Sequence, residues 1–187
     1  MAKDQQIPDT HAVLRRHVVF VGLMGAGKSA IGRRVASRIG ARFRDADTEI
    51  EKAAGMRISD IFAVRGEEEF RMGERRVIAR LLSEQPIVLA TGGGAYMDDE
   101  TRALLKGSAT TIWMRAELDT LVRRCAKRSN RPLLRNGDPR VILQNLMTVR
   151  HPVYAEADIT IESRDEPHEY AVKAIVAALH ARGDLLP

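Results

Sequence analysis

The 187-residue chain has a composition typical of globular proteins, with 44% hydrophobic residues, 29% charged residues and a net charge of +5. This length is typical of one domain that buries its own core without disulfides or structural metals. The single cysteine, Cys125, excludes an internal disulfide and fits a reducing cytoplasm. No stretch approaches the roughly 18 apolar residues of a membrane span. We therefore expect a cytoplasmic protein without a membrane partner.

The N-terminal residues 1–16 carry Asp4 and Asp9 and have no apolar centre, so they do not resemble a secretory signal. We expect them to form a disordered arm. A single domain is expected over residues 17–183.

A phosphate-binding loop is the strongest motif in the chain. The apolar run Val18 to Val21 predicts a buried strand, and it leads into Gly-Leu-Met-Gly-Ala-Gly-Lys-Ser at 22–29. Glycines at 25 and 27 allow a tight turn whose N–H groups face phosphate oxygens. Lys28 can reach the β- and γ-phosphates, and the Ser29 hydroxyl can ligate Mg²⁺. Apolar residues at helical spacing follow the loop, and Gly40 ends the predicted helix. The positive N-terminus of this helix would face a bound phosphate.

Strand and helix patterns alternate along the rest of the chain, which favours an α/β fold with a mainly parallel central sheet. A capping-box pattern at Thr48 and Glu51 predicts the start of the second helix. Residues 128–138 are polar, basic and rich in turn formers, which predicts a mobile loop. The further strands are predicted at 42–44, 87–90, 109–114 and 158–161, and the further helices at 48–54, 58–64, 67–82, 98–106, 117–127, 139–154 and 167–183.

Three segments that directly follow predicted strands can carry chemistry: the phosphate loop, Asp45 with Asp47, and the triple glycine 92–94. Ligands of open parallel sheets bind beyond the carboxyl ends of the strands, so these segments should meet in one crevice. Asp45 and Asp47 could place a metal-bound water and a hydroxyl acceptor, or could merely begin a helix. The glycines could be an ordinary loop, although three of them after a buried strand suggest close approach to a ligand.

Several arginines have more than one interpretation. Arg71 lies four residues after Glu67 and three before Glu74, which also fits a helical ion-pair stripe. Arg150 and Arg164 taken singly look like surface arginines.

Residues 115–140 hold eight basic and three acidic residues, whereas the rest of the chain balances at 22 and 22. This stretch could be a solvated face or a nucleic-acid-binding patch. Because the chain already has a phosphate-binding loop, bound ATP is the simpler explanation for the positive charge.

Taken together, the motifs closely resemble those of the shikimate kinase family. The matching elements, in chain order, are the loop at 22–29, Asp45-Ala46-Asp47, Gly66-Glu67 with Phe70-Arg71 and Glu74, Thr91-Gly-Gly-Gly-Ala95, Arg131-Pro-Leu-Leu134 and Arg150-x-Pro-x-Tyr154. The resemblance covers about residues 17–182. It implies the P-loop fold of nucleoside monophosphate kinases, with a five-stranded parallel sheet flanked by helices. It also implies a substrate-binding region near 45–75 and a lid near 126–138.

The same resemblance implies ATP- and Mg²⁺-dependent phosphorylation of the shikimate 3-hydroxyl, on the route to chorismate and aromatic amino acids. The implied catalytic residues are Lys28, Asp47 and Arg131, with Asp47 as the base. Mg²⁺ is implied at Ser29 and, through water, at Asp45. The implied ATP-binding residues are Gly25, Ala26, Gly27, Lys28, Ser29, Ala30, Arg124, Arg131 and Arg164. The implied shikimate-binding residues are Asp47, Arg71, Glu74, Gly92, Gly93, Gly94 and Arg150.

Three other functions compete with this interpretation, and the sequence argues against each of them. A gluconate kinase shares the phosphate loop, but is not expected to show this triple glycine and this set of arginines. A GTPase-like switch needs Asn-Lys-x-Asp and Asp-x-x-Gly strings, which are missing from the sequence. In a nucleic-acid-binding module, aromatic residues would usually be interleaved with the basic stretch. They are not interleaved with it in this chain. We expect ATP and shikimate as partners, no nucleic acid, and a monomer.

Overall fold

A five-stranded parallel sheet forms the centre of the protein. We describe it from a computed structural model that covers residues 13–127 and 137–187. The described residues form seven strands, which are β1 (Val13–Leu14), β2 (His17–Val21), β3 (Phe43–Asp45), β4 (Val88–Ala90), β5 (Ala109–Arg115), β6 (Ile159–Glu162) and β7 (Leu185–Leu186). Of these, β1 and β7 pair in a separate two-stranded sheet. Strands β3, β4, β2, β5 and β6 lie side by side in that order. The predicted parallel sheet is confirmed.

Helices cover both faces of this sheet, as the alternation of patterns predicts. They are α1 (Lys28–Arg38), α2 (Ala46–Ala54), α3 (Ile58–Leu82), α4 (Asp99–Ser108), α5 (Leu118–Ala126), α6 (Pro139–Tyr154) and α7 (His168–Arg182), with a 3₁₀ turn at Ala95–Met97. Every residue of β2 and β4 is buried, because strands covered on both faces have no solvated side. None of the helices in the described part of the chain is long and apolar enough to cross a membrane.

The strand register brings the carboxyl ends of three strands to one edge. Phe20 of β2 pairs with Ala90 of β4, and Ala90 pairs in turn with Asp45 of β3. The phosphate loop follows β2, Asp45 leads into α2, and the triple glycine follows β4. The three segments therefore lie next to one another at this edge, as expected for a ligand-binding crevice of a parallel sheet.

A sharp bend divides α3 at Gly66, where the sequence predicts a break between two helices. Gly66 has φ 81° and ψ 175°, a conformation that is open to glycine and costly for residues with a Cβ. The bend redirects the second half of α3, whose buried residues include Phe70 and Glu74. This half lines the same edge of the sheet.

Two predictions about element ends are wrong. The start of α2 is capped by Asp45, whose carboxylate accepts from the N–H groups of Asp47 and Thr48, so Thr48 lies inside the helix. The carboxylate outcompetes the hydroxyl because it reaches the first free N–H groups with a full negative charge. The expected arm also ends earlier than residue 16, since Val13–Leu14 pairs antiparallel with Leu185–Leu186. The folded domain accordingly extends beyond residue 183.

Candidate active site

The phosphate loop has the shape that its glycines require. Gly25 and Gly27 have φ 82° and 93°, and α1 begins directly after Gly27. The Lys28 ammonium folds back over the loop and donates to the carbonyls of Gly22 at 2.7 Å and Leu23 at 3.0 Å. The loop N–H groups, the start of α1 and the Lys28 charge thus face the same crevice, which favours an anion.

Ser29 and Asp45 are the oxygen donors next to this loop. The Ser29 hydroxyl donates to Asp45 Oδ2 at 2.6 Å, while Asp45 Oδ1 accepts from the N–H groups of Asp47 at 3.1 Å and Thr48 at 3.4 Å. The cap of α2 therefore fixes the carboxylate beside the loop. No group of three or more histidine, cysteine or acidic side chains in residues 13–127 and 137–187 is arranged to hold a metal ion.

Two carboxyl groups meet above the first glycine of the triple-glycine turn. A methyl group at Gly92 would lie 3.0 Å from Asp47 Oδ1 and 3.0 Å from Glu74 Oε1. Burial in the crevice raises the pKa of Asp47, and the nearby Asp45 charge adds to this effect. The Asp47 residue as a whole nevertheless remains exposed to solvent. An aspartate of raised pKa is better matched to accepting a proton than an ordinary one.

Glu74 is the buried member of this pair, with 2% of its surface exposed. Its Oε2 accepts from Arg71 Nη1 at 2.6 Å, whereas Oε1 has no hydrogen-bond partner among the described residues. Burial raises the pKa of Glu74, against the opposing charge of Arg71. A buried carboxylate oxygen without a partner is costly. Glu74 Oε1 is therefore a ready acceptor for a ligand group at Gly92.

Arg71 belongs both to an ion-pair stripe and to the crevice. It pairs with Glu67 at 3.3 Å and with Glu74 at 2.6 Å, so the helical interpretation of its spacing is correct. The guanidinium also lies directly over Gly94, where a methyl group would be only 2.6 Å from Arg71 Cζ. Glycine is thus required at 94 for this close approach. The carboxylates fix the orientation of Arg71 and leave it over the turn.

Arg150, which lies 79 residues after Arg71 in the chain, reaches the same turn from α6. Its Nη1 donates to the Gly93 carbonyl at 3.0 Å, and the Tyr154 hydroxyl donates to the same oxygen. Burial raises the pKa of Tyr154 to about 12, so the phenol stays protonated and remains a donor. Two arginines, from α3 and α6, consequently flank the triple glycine and provide positive charge for an acid.

Arg124 lies on the other side of the phosphate loop. Its Nη1 donates to Ser163 Oγ at 2.8 Å and to the Gly25 carbonyl at 3.3 Å, and its Nη2 donates to the Arg164 carbonyl at 2.8 Å. Arg164 contributes its backbone here, because its side chain is 68% exposed and pairs with Glu166 at 3.8 Å. Both residues lie next to the loop, but only Arg124 directs its side chain toward it.

The basic stretch 115–140 is partly neutralised by acidic neighbours. Arg115 pairs with Glu162 and Arg140 with Asp119, while Arg123 and Arg124 share Asp165. The described part of the stretch therefore carries less unpaired positive charge than its sequence suggests. Arg131, and with it most of the expected lid at 126–138, lies outside the described residues.

Two residues of this edge were missed as site residues by sequence reasoning. Tyr154 was visible only as the last member of the Arg150-x-Pro-x-Tyr motif. Ser163 had no signal, because its partners Ala26 and Arg124 lie 137 and 39 residues away. Contacts at such separations depend on the fold.

A phosphate loop on a parallel sheet, faced by paired carboxylates and by two arginines at the triple glycine, defines a P-loop kinase of small molecules. A family model described as shikimate kinase matches residues 24–180. The shikimate kinase of Caulobacter vibrioides is 53% identical over 174 residues, which cover 92% of this chain and 87% of that protein. The chain belongs to the shikimate kinase family.

Solved structures agree with this assignment. Shikimate kinase from Acinetobacter baumannii, in complex with shikimate, superposes with a TM-score of 0.86 at 34% identity, covering 89% of this chain and 94% of that chain. A gluconokinase from Sinorhizobium meliloti reaches a TM-score of 0.62 at 19% identity, covering 90% and 94% of the two chains. Identity at this lower level shows a shared fold alone.

Proposed function

We propose that the protein transfers the γ-phosphoryl group of ATP to the 3-hydroxyl of shikimate, giving shikimate 3-phosphate and ADP. The observation that carries this proposal is the convergence of Arg71 and Arg150 on the triple glycine, beside Asp47. Membership of the shikimate kinase family supports the choice of acid. The Acinetobacter relative, whose solved structure contains shikimate, gives the same indication.

At the acceptor end, the two arginines would hold the carboxylate of shikimate. A planar guanidinium can pair with both carboxylate oxygens, and two positive charges offset part of the cost of desolvating the acid. Glu74 would keep Arg71 in place through its 2.6 Å bond and would offer its free Oε1 to a hydroxyl or an N–H of the complex. The backbone of Gly92 to Gly94 would follow the ring closely, since side chains are absent there.

Asp47 would orient the reacting hydroxyl and accept its proton. The hydroxyl oxygen then bonds to the γ-phosphorus, and the bond from this phosphorus to the β–γ bridging oxygen breaks as ADP leaves. The charge of Lys28 over the loop stabilises the oxygens that gain charge in this step. Phosphoryl transfer needs positioning more than covalent chemistry. Asp47 and Lys28 would therefore contribute by orienting the hydroxyl and by stabilising charge.

At the nucleotide end, the loop residues Gly25, Ala26, Gly27, Lys28, Ser29 and Ala30 would bind the phosphates, and Arg124 would contact the base. Arg164 is proposed as a second contact, through its backbone or its exposed side chain. Arg131 is proposed to reach the phosphates from the lid. These roles rest on the family resemblance together with the positions of Arg124 and Arg164 beside the loop.

The residues present fit a Mg²⁺ ion. Ser29 and Asp45 supply hard oxygen atoms 2.6 Å apart, and Mg²⁺ commonly uses only one or two protein oxygens beside phosphates and waters. We propose that Ser29 ligates it directly and Asp45 through water. When bound, the ion would neutralise charge on the transferring phosphates. We also propose that the protein works in the cytoplasm, which fits its single cysteine, and that it works as a monomer.

A coupled assay of ADP release tests the proposal, with shikimate, gluconate and no acceptor as its three arms. We expect turnover with shikimate well above both others, and a product that contains one phosphate ester at the 3-position by ³¹P NMR. Turnover of gluconate without turnover of shikimate would contradict the proposal. ADP release that is equal in all three arms would indicate hydrolysis rather than transfer.

A further inference from the structure

The Ser163 hydroxyl joins two parts of the nucleotide site. Ser163 directly follows β6 and is 9% exposed, and its backbone N–H is bound to the Arg115 carbonyl at 2.6 Å. The hydroxyl donates to the Ala26 carbonyl at 2.8 Å and accepts from Arg124 Nη1 at 2.8 Å. A hydroxyl has one proton to donate, so these two partners fix its orientation completely.

Ala26 lies in the phosphate loop, and Arg124 of α5 lies beside it. Ala26 stands between the two glycines of positive φ at the crest of the phosphate loop. A methyl group at Gly27 would lie 3.6 Å from Ser163 Oγ and 4.0 Å from Arg124 Nη1. The serine and the guanidinium are thus packed beside the loop. The Ala26 carbonyl, which belongs to a rigid turn, anchors the hydroxyl.

We propose that Ser163 is a positioning residue, which fixes the plane of the Arg124 guanidinium relative to the phosphate loop so that Arg124 can meet the nucleotide base. This inference rests on the proposed ATP site. Arg124 keeps 24% of its side chain exposed, so one surface stays available to a base. Cation–π and stacking contacts depend on the orientation of that plane.

The other contacts of Arg124 do not replace this one. Nη2 is held by the Arg164 carbonyl at 2.8 Å and by Asp165 at 3.2 Å. Asp165 is half exposed and shared with Arg123, and exposed ion pairs hold their partners weakly. Without the hydroxyl, Nη1 keeps only the longer 3.3 Å contact to Gly25. The guanidinium could then rotate about its remaining amino group.

The test compares Ser163→Ala with Ser163→Thr, which keeps the hydroxyl. Calorimetry measures the binding of ADP, which has a base, and of inorganic tripolyphosphate, which occupies the loop without one. We expect Ser163→Ala to weaken ADP binding about tenfold, the effect of a bond to a charged group. Tripolyphosphate binding should change less than about twofold, and Ser163→Thr should restore ADP binding. Equal weakening for both ligands would overturn the proposal.

A double-mutant cycle supplies the second readout. If Ser163 acts through Arg124, then Ser163→Ala should have little further effect on ADP binding in the Arg124→Ala background. Additive losses would overturn the proposal. Thermal unfolding checks each variant, and Ser163→Cys, which keeps the volume but bonds weakly, serves if Ser163→Ala does not fold. ADP binding does not require shikimate, so failure here is distinct from failure of the parent to turn over shikimate.

Discussion

The Tyr154 hydroxyl donates to the carbonyl oxygen of Gly93. This bond connects the end of α6 to the middle of the triple-glycine turn, 61 residues earlier in the chain. Arg150 donates to the same oxygen, so the turn and the arginine are held by one acceptor. The geometry of the triple-glycine turn therefore depends on a fully buried phenol.

Removing this hydroxyl should loosen the acceptor site. In Tyr154→Phe we expect the KM for shikimate to rise about fivefold, since a hydrogen bond of this kind contributes roughly 1 kcal/mol. The KM for ATP should change little, because the nucleotide groups lie on the other side of the phosphate loop. Steady-state kinetics with each substrate varied measures both. Tyr170→Phe is the matched control on an exposed tyrosine, and an equal effect there would contradict this role.

A methyl group at Gly94 should displace Arg71. The side chain of Ala at this position would collide with the guanidinium, while the backbone φ of −97° accepts alanine. Arginine is flexible, so we expect Gly94→Ala to fold with nearly unchanged stability but to bind shikimate at least about tenfold more weakly. Gly107→Ala is the control, since no described atom lies within 4 Å of its methyl. Unchanged shikimate affinity in Gly94→Ala would show that Arg71 is not needed there.

Loss of the Asp47 carboxylate should slow the chemical step. General-base assistance typically contributes about 10²–10⁴-fold, so Asp47→Asn should lose kcat on that scale. Binding of ATP should persist, because Lys28 and the loop are unaffected. Single-turnover kinetics and nucleotide binding measure the two effects separately. A loss confined to ATP affinity would instead assign Asp47 to the metal.

The raised pKa of Asp47 predicts a pH dependence. Asp47 must be ionised to accept a proton, and burial and Asp45 move its pKa above the usual 3.8. As pH falls, the group protonates earlier than an ordinary aspartate, and kcat/KM for shikimate should decline with it. Glu74 also has a raised pKa, so Glu74→Gln is the control variant. We expect its residual activity to keep the acid limb, whereas Asp47→Asn should lose it.

Much of this fold could be predicted from local patterns. The apolar runs of β2, β4 and β5 and the glycine-rich loop specify buried strands and their turns, and the convergence of their carboxyl ends follows from parallel order. The break at Gly66 follows from the cost of a bend at other residues. These features depend on neighbouring residues, so they are visible in the sequence.

Most of the features that sequence reasoning missed are long-range, and the cap of α2 is the local exception. Pairing of Val13–Leu14 with Leu185–Leu186 joins the two ends of the described chain, and strands of two residues have no recognisable period. The cap at Asp45 was missed because a capping-box pattern three residues later competed with it. Ser163 and Tyr154 bind carbonyls of distant loops, and a carbonyl oxygen is the same at every residue. The carbonyl that each of these side chains contacts is therefore determined by the fold.

The most direct test of the account is whether Arg71 and Arg150 read the carboxylate of shikimate. Calorimetry of shikimate and its neutral methyl ester should show that the parent prefers the acid about 30-fold or more, the effect of breaking a buried charged pair. Arg71→Ala and Arg150→Ala should each lose most of that preference. Arg76→Ala, on an exposed position of the same helix as Arg71, should retain it. If both crevice variants discriminate acid from ester as well as the parent does, neither arginine binds the carboxylate.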